Sequence, residues 1–91
     1  MRFLASTVNG MKLPHHQRRM LIASRIKDAR LNNGLSQRDA AEALHIGQST
    51  YCRIEKGQTE PSVVQIVTLS GLYDVSVLWL MGYPSFIAKI N

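Results

Sequence analysis

The sequence is poor in the features on which several classes of protein depend. Its 91 residues include a single cysteine, Cys52, so no disulfide can form within one chain. No apolar run approaches the ~18 residues of a membrane span. The N-terminal apolar stretch is too short for a signal peptide, and Asn9-Gly10 interrupts it. We therefore expect one small domain, and a reducing cytoplasm is its default location.

The chain also lacks the residue groupings that catalysis and metal binding require. It contains no paired carboxylates, no glycine-rich phosphate loop and no Ser/His/Asp set, so we expect neither an enzyme nor a bound cofactor. His15 and His16 are adjacent but have no third ligand, and we interpret them as part of a solvated linker. Cys52 has no base partner, which favours a packing or exposed residue over a nucleophile.

Acidic residues are scarce in the first part of the chain. Residues 1–56 hold ten of the eleven lysines and arginines but only four acids, whereas residues 57–91 hold one lysine and two acids. Such a division indicates a basic surface that faces a polyanion and a separate apolar surface. Charge alone is equally consistent with a solvated basic surface that binds nothing.

The chain is predicted to begin with a β-hairpin. Asn9-Gly10 is a strong signal for a tight turn, and residues 2–13 flank it with short apolar stretches. The alternative is an unstructured tail. We divide the chain into an N-terminal extension, a main domain and a short tail, at residues 1–16, 17–84 and 85–91.

Helical periodicity predicts five helices in the main domain, which gives an all-α fold. The first begins at Gln17 and ends at Asn32-Asn33-Gly34. Ser36, with Asp39 three residues later, resembles a capping box and starts the second. The third helix is predicted from about Gln48 to Lys56. The fourth has Pro61 in its first turn and Thr59 or Glu60 as its cap. The fifth runs from Val77 to Met81 and is capped by Ser76. The predicted buried face of the fourth helix is Val63, Ile66, Val67, Leu69 and Tyr73.

The spacing between residues 37 and 56 is typical of a helix-turn-helix. Two helices that cross steeply need a small side chain where they touch, and Ala41 provides it. Four places later the turn needs a residue that tolerates positive φ, and His45 stands there. The apolar residues that join both helices to the core are Leu44, Ile46, Tyr51 and Ile54.

With these helices in this order, the chain resembles the λ-repressor-like, Xre-type family of DNA-binding domains over residues 19–82. The matching stretches are RIKDAR, GLSQ, STYCRIEKG, a Pro-Ser start to the fourth helix and VSVLWLMG. The family more often has Gly at the position of His45 and Ser or Thr at that of Gly47. Tyr51 replaces a smaller residue and Ala40 a larger one, so the two are expected to compensate. Glu60 is unfavourable for the phosphate contact that its loop often makes.

The resemblance implies roles for the polar residues of the second and third helices. Gln48, Ser49 and Arg53 match base-contacting positions, and Thr50 is expected to meet a thymine methyl or a phosphate. Gln37 matches a residue that caps the second helix and contacts phosphate. The other expected phosphate contacts are Arg38, Lys56, Arg18 and Arg19. Arg30 and Glu55 match a structural ion pair.

Apolar residues near both ends predict a homodimer. The C-terminal region carries more large apolar side chains than a small monomer can bury, namely Leu78, Trp79, Met81 and Phe86. The alternative dimer contact is the N-terminal hairpin, which contains Phe3.

The pattern and the resemblance together imply a dimeric, sequence-specific transcriptional regulator of bacterial or phage type, most simply a repressor of a near-palindromic operator. The resemblance also implies a location in the bacterial cytoplasm or nucleoid. One alternative is an antitoxin that also binds a protein partner. Another is a protein-interaction module that retains the fold without specific DNA binding.

Overall fold

The computed structural model describes residues 13–84, and this part of the chain contains five α-helices and no strand. In chain order they are α1 His15–Asn32, α2 Gln37–Leu44, α3 Gln48–Glu55, α4 Val63–Tyr73 and α5 Val77–Leu80. The all-helical prediction is confirmed for these residues. The predicted hairpin at residues 2–13, except for Leu13, lies outside the described residues, as does the tail at 85–91. None of the described helices is long and apolar enough to cross a membrane.

Helix α1 begins two residues earlier than its periodicity predicted. Pro14 is its N-cap, and the Pro14 carbonyl accepts the first intrahelical bond from the Arg18 amide at 2.9 Å. His15 and His16 therefore lie in the first helical turn, and their interpretation as a linker was wrong. The predicted end is confirmed at Asn32, and Gly34 supplies the left-handed residue with φ of 67°.

Helix α2 and the turn after it follow the sequence prediction closely. The Ser36 hydroxyl accepts from the Asp39 amide, the Asp39 carboxylate accepts from the Ser36 amide, and both distances are 3.0 Å. These backbone and hydroxyl contacts with Ser36 lower the pKa of the Asp39 carboxyl. His45 ends the helix with φ of 57° and ψ of 42°, which confirms the expected left-handed turn.

The predicted start of α4 was wrong. Its N-cap is Ser62, whose hydroxyl accepts from the Gln65 amide at 3.1 Å while the Gln65 side chain accepts from the Ser62 amide at 2.8 Å. This reciprocal pair satisfies two amides at once, which neither Thr59 nor Glu60 is placed to do. Pro61 consequently lies before the helix and not in its first turn.

The predicted buried face of α4 was partly wrong as well. Ile66, Leu69 and Tyr73 are buried, but Val63 and Val67 are 76% and 54% exposed. At about 100° per residue, Ile66, Leu69 and Tyr73 fall within roughly 60° of one another around the helix, whereas Val63 and Val67 lie beyond the edge of that stripe. Val64 is also exposed, so one side of this helix is apolar and open to solvent.

The core joins all five helices around two tyrosines. The side chains that are almost completely buried are Tyr51, Tyr73, Ile26, Ile54, Leu69 and Leu80. The hydroxyl oxygens of Tyr51 and Tyr73 lie 2.7 Å apart and form a hydrogen bond. Ala40 is completely buried in the same cluster as Tyr51, as expected if the large ring fills the space that the small residue leaves.

Two arginines of α1 fasten the end of α5. The Arg25 guanidinium donates through Nη1 to the carbonyls of Trp79 and Tyr83, each at 2.6 Å, and lies 5.0 Å from the centroid of the Trp79 ring. Arg18 lies 5.3 Å from the centroid of the Tyr83 ring and donates to the Met81 carbonyl at 3.4 Å. Burial, followed by the nearby charge of Arg18, lowers the pKa of Arg25.

Candidate nucleic-acid interface

The turn at His45 sets α2 and α3 against each other with a small contact residue between them. Ala41 is buried in the core cluster, and its carbonyl accepts from the Ile46 amide at 3.0 Å, which closes the turn. Gly47, in an extended conformation, is the N-cap of α3 and provides no side-chain cap. The two helices and their turn therefore have the arrangement that the spacing of residues 37–56 predicted.

Helix α3 has one buried face and one open face. Tyr51, Ile54 and Glu55 point into the protein. Gln48, Ser49 and Arg53 are exposed, and none of their side chains forms a hydrogen bond or an ion pair with another of residues 13–84. Thr50 and Cys52 are partly exposed at the edges of this surface. Three adjacent polar side chains are thus available to a ligand that approaches α3.

The buried face of α3 is held by a buried ion pair. Arg30 Nε lies 2.6 Å from Glu55 Oε2, and Arg30 Nη2 lies 3.1 Å from Glu55 Oε1. Arg30 Nη1 donates to the Leu35 carbonyl at 2.9 Å, and both charged residues are only 8% exposed. Such two-point geometry fixes orientation as well as distance.

The ion pair also keeps both partners charged. Hydrogen bonding to Glu55 raises the pKa of Arg30. Burial by itself would raise the pKa of the Glu55 carboxyl, but hydrogen bonds, foremost from Arg30, outweigh it and lower this pKa. Burial raises the pKa of the Tyr51 hydroxyl far above its usual value, so Tyr51 remains neutral beside them.

Gln37 has a partner that the sequence did not predict. Its Nε2 donates to Glu55 Oε1 at 3.1 Å, which connects the start of α2 to the end of α3. The N-cap of α2 is Ser36, so the expected capping role of Gln37 was wrong, and Gln37 is the first helical residue. A contact between residues 18 positions apart on different helices leaves no local pattern that could have revealed it.

The expected phosphate-contacting residues differ in their exposure and in their contacts within the protein. Arg38 and Lys56 are exposed, and Arg38 Nε lies 3.5 Å from Glu42 Oε1 in an exposed ion pair. Arg19 is partly buried, and its Nε has no hydrogen-bond partner among residues 13–84. Arg18 is directed to Tyr83 and the Met81 carbonyl. The five expected residues therefore differ in exposure, and two of them, Gln37 and Arg18, make contacts within the protein.

The residues expected at the dimer interface also differ in their exposure. Leu78 and Trp79 are half-buried, and Trp79 is covered on one side by Arg25. Met81 is exposed, whereas Phe3 and Phe86 lie outside the described residues. Beside Met81 is an apolar groove of about 140 Å³ whose other apolar lining residues are Ile22, Pro61, Val63, Ile66 and Val77. Val63 belongs to both this groove and the open side of α4.

The side chains around Gln48, Ser49 and Arg53 do not have the composition of a metal site. No group of three or more His, Cys, Asp or Glu side chains comes together within the part of the chain that the structure describes. The surface is instead one of amide, hydroxyl and guanidinium groups, which bind through hydrogen bonds and charge.

Comparison with known protein families decides the class of the fold. A family model described as helix-turn-helix matches residues 26–80, which include the end of α1 and all of α2 to α5. The chain belongs to the helix-turn-helix family. The resemblance to λ-repressor-like, Xre-type domains is thereby confirmed.

Two curated proteins are similar to the chain. It is 36% identical to the HTH-type transcriptional regulator ImmR of Bacillus subtilis over 63 residues, which cover 69% of this chain and 50% of ImmR. It is 30% identical to the cryptic phage CTXphi transcriptional repressor RstR of Vibrio cholerae over 62 residues, 68% of this chain and 56% of RstR. The matched region spans about half the length of these relatives. No solved structure matches the chain significantly.

Proposed function

We propose that the protein is a sequence-specific DNA-binding transcriptional regulator, a dimeric repressor that inserts α3 into the major groove of a near-palindromic operator. The observation that carries this proposal is the exposed row of Gln48, Ser49 and Arg53 on a helix whose opposite face is held by a buried ion pair. A rigid helix with free polar side chains is what base recognition requires. The regulator and repressor names of the two relatives support the same function.

The side chains of α3 have the chemistry to read bases. Glutamine can form a bidentate pair with adenine, arginine with guanine, and serine can bond to either. Thr50, at the edge of the surface, can meet a thymine methyl group or a phosphate. Arg38, the second residue of α2, and Lys56, which directly follows α3, are exposed cations. In this proposal they bind phosphates, and Arg19 is a further candidate.

A second copy of the chain would complete the proposed regulator. Met81 and Val63 form one apolar area with the groove beside them, and Val67 extends it along α4. Exposed apolar areas of this kind mark interaction surfaces. A symmetric dimer through this area would present two copies of α3 to half-sites about one helical turn apart. Sedimentation equilibrium of the protein and of a Val67→Glu variant tests this contact.

The proposal is tested by footprinting the purified protein on its own upstream DNA, with a scrambled duplex as reference, at two salt concentrations. A protected inverted repeat that survives ~150 mM salt is expected. Arg53→Ala should abolish that protection, whereas Lys27→Ala, which removes an exposed charge from α1, should weaken it only modestly. Equal, salt-sensitive binding to both duplexes would argue against a specific autoregulator.

The exposed valines of α4 favour one alternative, in which this face binds another protein. In the antitoxin form of this alternative, the chain both represses DNA and holds its partner. In the other form, the fold serves protein binding alone, and DNA binding is weak, salt-sensitive and indifferent to sequence. The two are separated by Gln48→Ala, which weakens operator binding in the first case and changes nothing in the second.

A further inference from the structure

Gln37 joins the two helices of the helix-turn-helix through a carboxylate that is already fixed. Glu55 Oε2 accepts from Arg30 Nε at 2.6 Å, and Glu55 Oε1 accepts from both Arg30 Nη2 and Gln37 Nε2 at 3.1 Å. The carboxylate therefore receives donors from α1 and from α2 while belonging to α3. Gln37, the first residue of α2, is partly exposed, whereas Arg30 and Glu55 are buried.

The same geometry makes Gln37 a poor phosphate ligand. One of the two protons on its amide nitrogen is already donated to Glu55. The Glu55 carboxylate carries a negative charge, because its hydrogen bonds hold its pKa below the ordinary value. Arg30 balances that charge, so the geometry disfavours a phosphate at Gln37 mainly by leaving its amide nitrogen only one further proton to donate.

We propose that Gln37 is a positioning residue that fixes the rotation of α3 against α2 through Glu55 and thereby sets base specificity without binding phosphate. Arg30 holds Glu55 from α1, and Gln37 adds a second constraint from α2. Base recognition depends on side-chain placement to within about 0.5 Å, so a small rotation of α3 changes which base edges Gln48 and Arg53 reach. This inference rests on the proposed DNA-binding function.

The test compares Gln37→Met, which keeps the length of the side chain but removes its donors, with Arg38→Met. Arg38 is the adjacent residue, is exposed and is expected to bind phosphate, so it is the matched control. The specific probe is a duplex selected from a random pool by the wild-type protein, and the non-specific probe is the same duplex scrambled. Binding to both is measured over a series of salt concentrations.

For Gln37→Met, the ratio of specific to non-specific affinity should fall about tenfold, comparable to the loss of one good base contact. Its non-specific affinity and the slope of log affinity against log salt should remain those of the wild type. For Arg38→Met, both affinities should fall together, and the slope should decrease by about one. Urea unfolding of both variants establishes that they are folded at the temperature of the assay.

A measurement on the unaltered protein gives an independent check. If Glu55 holds the Gln37 amide, the order parameter of the Gln37 side-chain ¹⁵N in the free protein should approach the ~0.85 of a rigid backbone. A value below about 0.6 would show that the amide is mobile and would overturn the proposal.

The outcomes separate the two proposals from each other. Selection that enriches no sequence with the wild-type protein contradicts the proposed function itself. Specific wild-type binding with a Gln37→Met variant that behaves like Arg38→Met assigns Gln37 to phosphate and overturns the positioning role. Specific wild-type binding that Gln37→Met leaves unchanged overturns it as well.

Discussion

Glu55→Gln should be among the most destabilising single substitutions that preserve side-chain shape in this protein. The new amide keeps one oxygen that can accept from Arg30, but it removes the negative charge. The guanidinium of Arg30, whose side chain is 9% exposed, is then left buried without a counter-charge. Removal of one partner from a buried ion pair costs about 3–5 kcal/mol, and the retained acceptor places the expected loss at about 3 kcal/mol.

A loss of this size is large for a domain of this length. Small domains have total stabilities of about 5–15 kcal/mol, and each kcal/mol shifts the melting temperature by roughly 4–8 °C. The assay is equilibrium urea unfolding followed by the fluorescence of Trp79, the single tryptophan, and by circular dichroism in parallel. The slope of the free energy against urea should be unchanged, which would show that the variant unfolds from the same compact state.

A pH series tests the same reasoning from another direction. The folded-state pKa of Glu55 is lowered, so its stabilising contribution is present above the unfolded-state pKa and is lost as the pH falls through the folded-state pKa. The difference in stability between wild type and Glu55→Gln should therefore shrink as the pH falls below about 4.3, the ordinary value for glutamate.

The reasoning would be refuted if Glu55→Gln cost less than about 1 kcal/mol, the value for an exposed ion pair. A paired replacement gives the complementary check. Arg30→Met combined with Glu55→Met removes both charges together and should recover most of the loss, because apolar residues of similar volume can replace a buried pair at little cost.

Three further predictions are tested by the same unfolding assay. His45→Val should be less stable than His45→Gly by at least about 1 kcal/mol, because a β-branched residue is strained at a φ of 57° where glycine is not. Ser62→Ala should cost about 1 kcal/mol by removing the cap of α4, and Ser62→Asp should retain most of that stability. Tyr73→Phe should cost about 1–3 kcal/mol by leaving the Tyr51 hydroxyl without its partner, and the double change with Tyr51→Phe should cost less than the sum of the two single changes.

The sequence predicted those features of the fold that depend on neighbouring residues. The capping box at Ser36 depends on a partner three positions away, and the turn at His45 depends on one residue that tolerates positive φ. The start of α4 was missed because two local rules competed. A proline suggests a first helical turn, but Ser62 with Gln65 offers two hydrogen bonds, and the structure follows the hydrogen bonds.

The face of α4 could not be read from periodicity because the helix is apolar on most sides. The helix carries no charged residue, and its polar residues Gln65, Thr68 and Ser70 are spread around it, so they do not mark the solvent side. Burial was decided instead by the helices that surround Tyr73 and Ile66. The contact of Gln37 with Glu55 could not be predicted for a similar reason, since it exists only once α2 and α3 have packed together.

Some of the chain's positive charges are engaged within the protein and others are exposed, and the composition alone does not distinguish them. Of the eight lysines and arginines between Leu13 and Lys56, Arg30 is paired within the core, and Arg18 and Arg25 fasten α5 to α1. We therefore expect these three to contribute less to a DNA-facing surface than the exposed cations do. Because the salt dependence of DNA binding follows the number of phosphates neutralised, by a slope of about 0.9 for each, it should reflect exposed cations such as Arg38 and Lys56. A basic composition is thus consistent with a polyanionic partner, but only the packing of α1 against α5 shows which charges remain exposed.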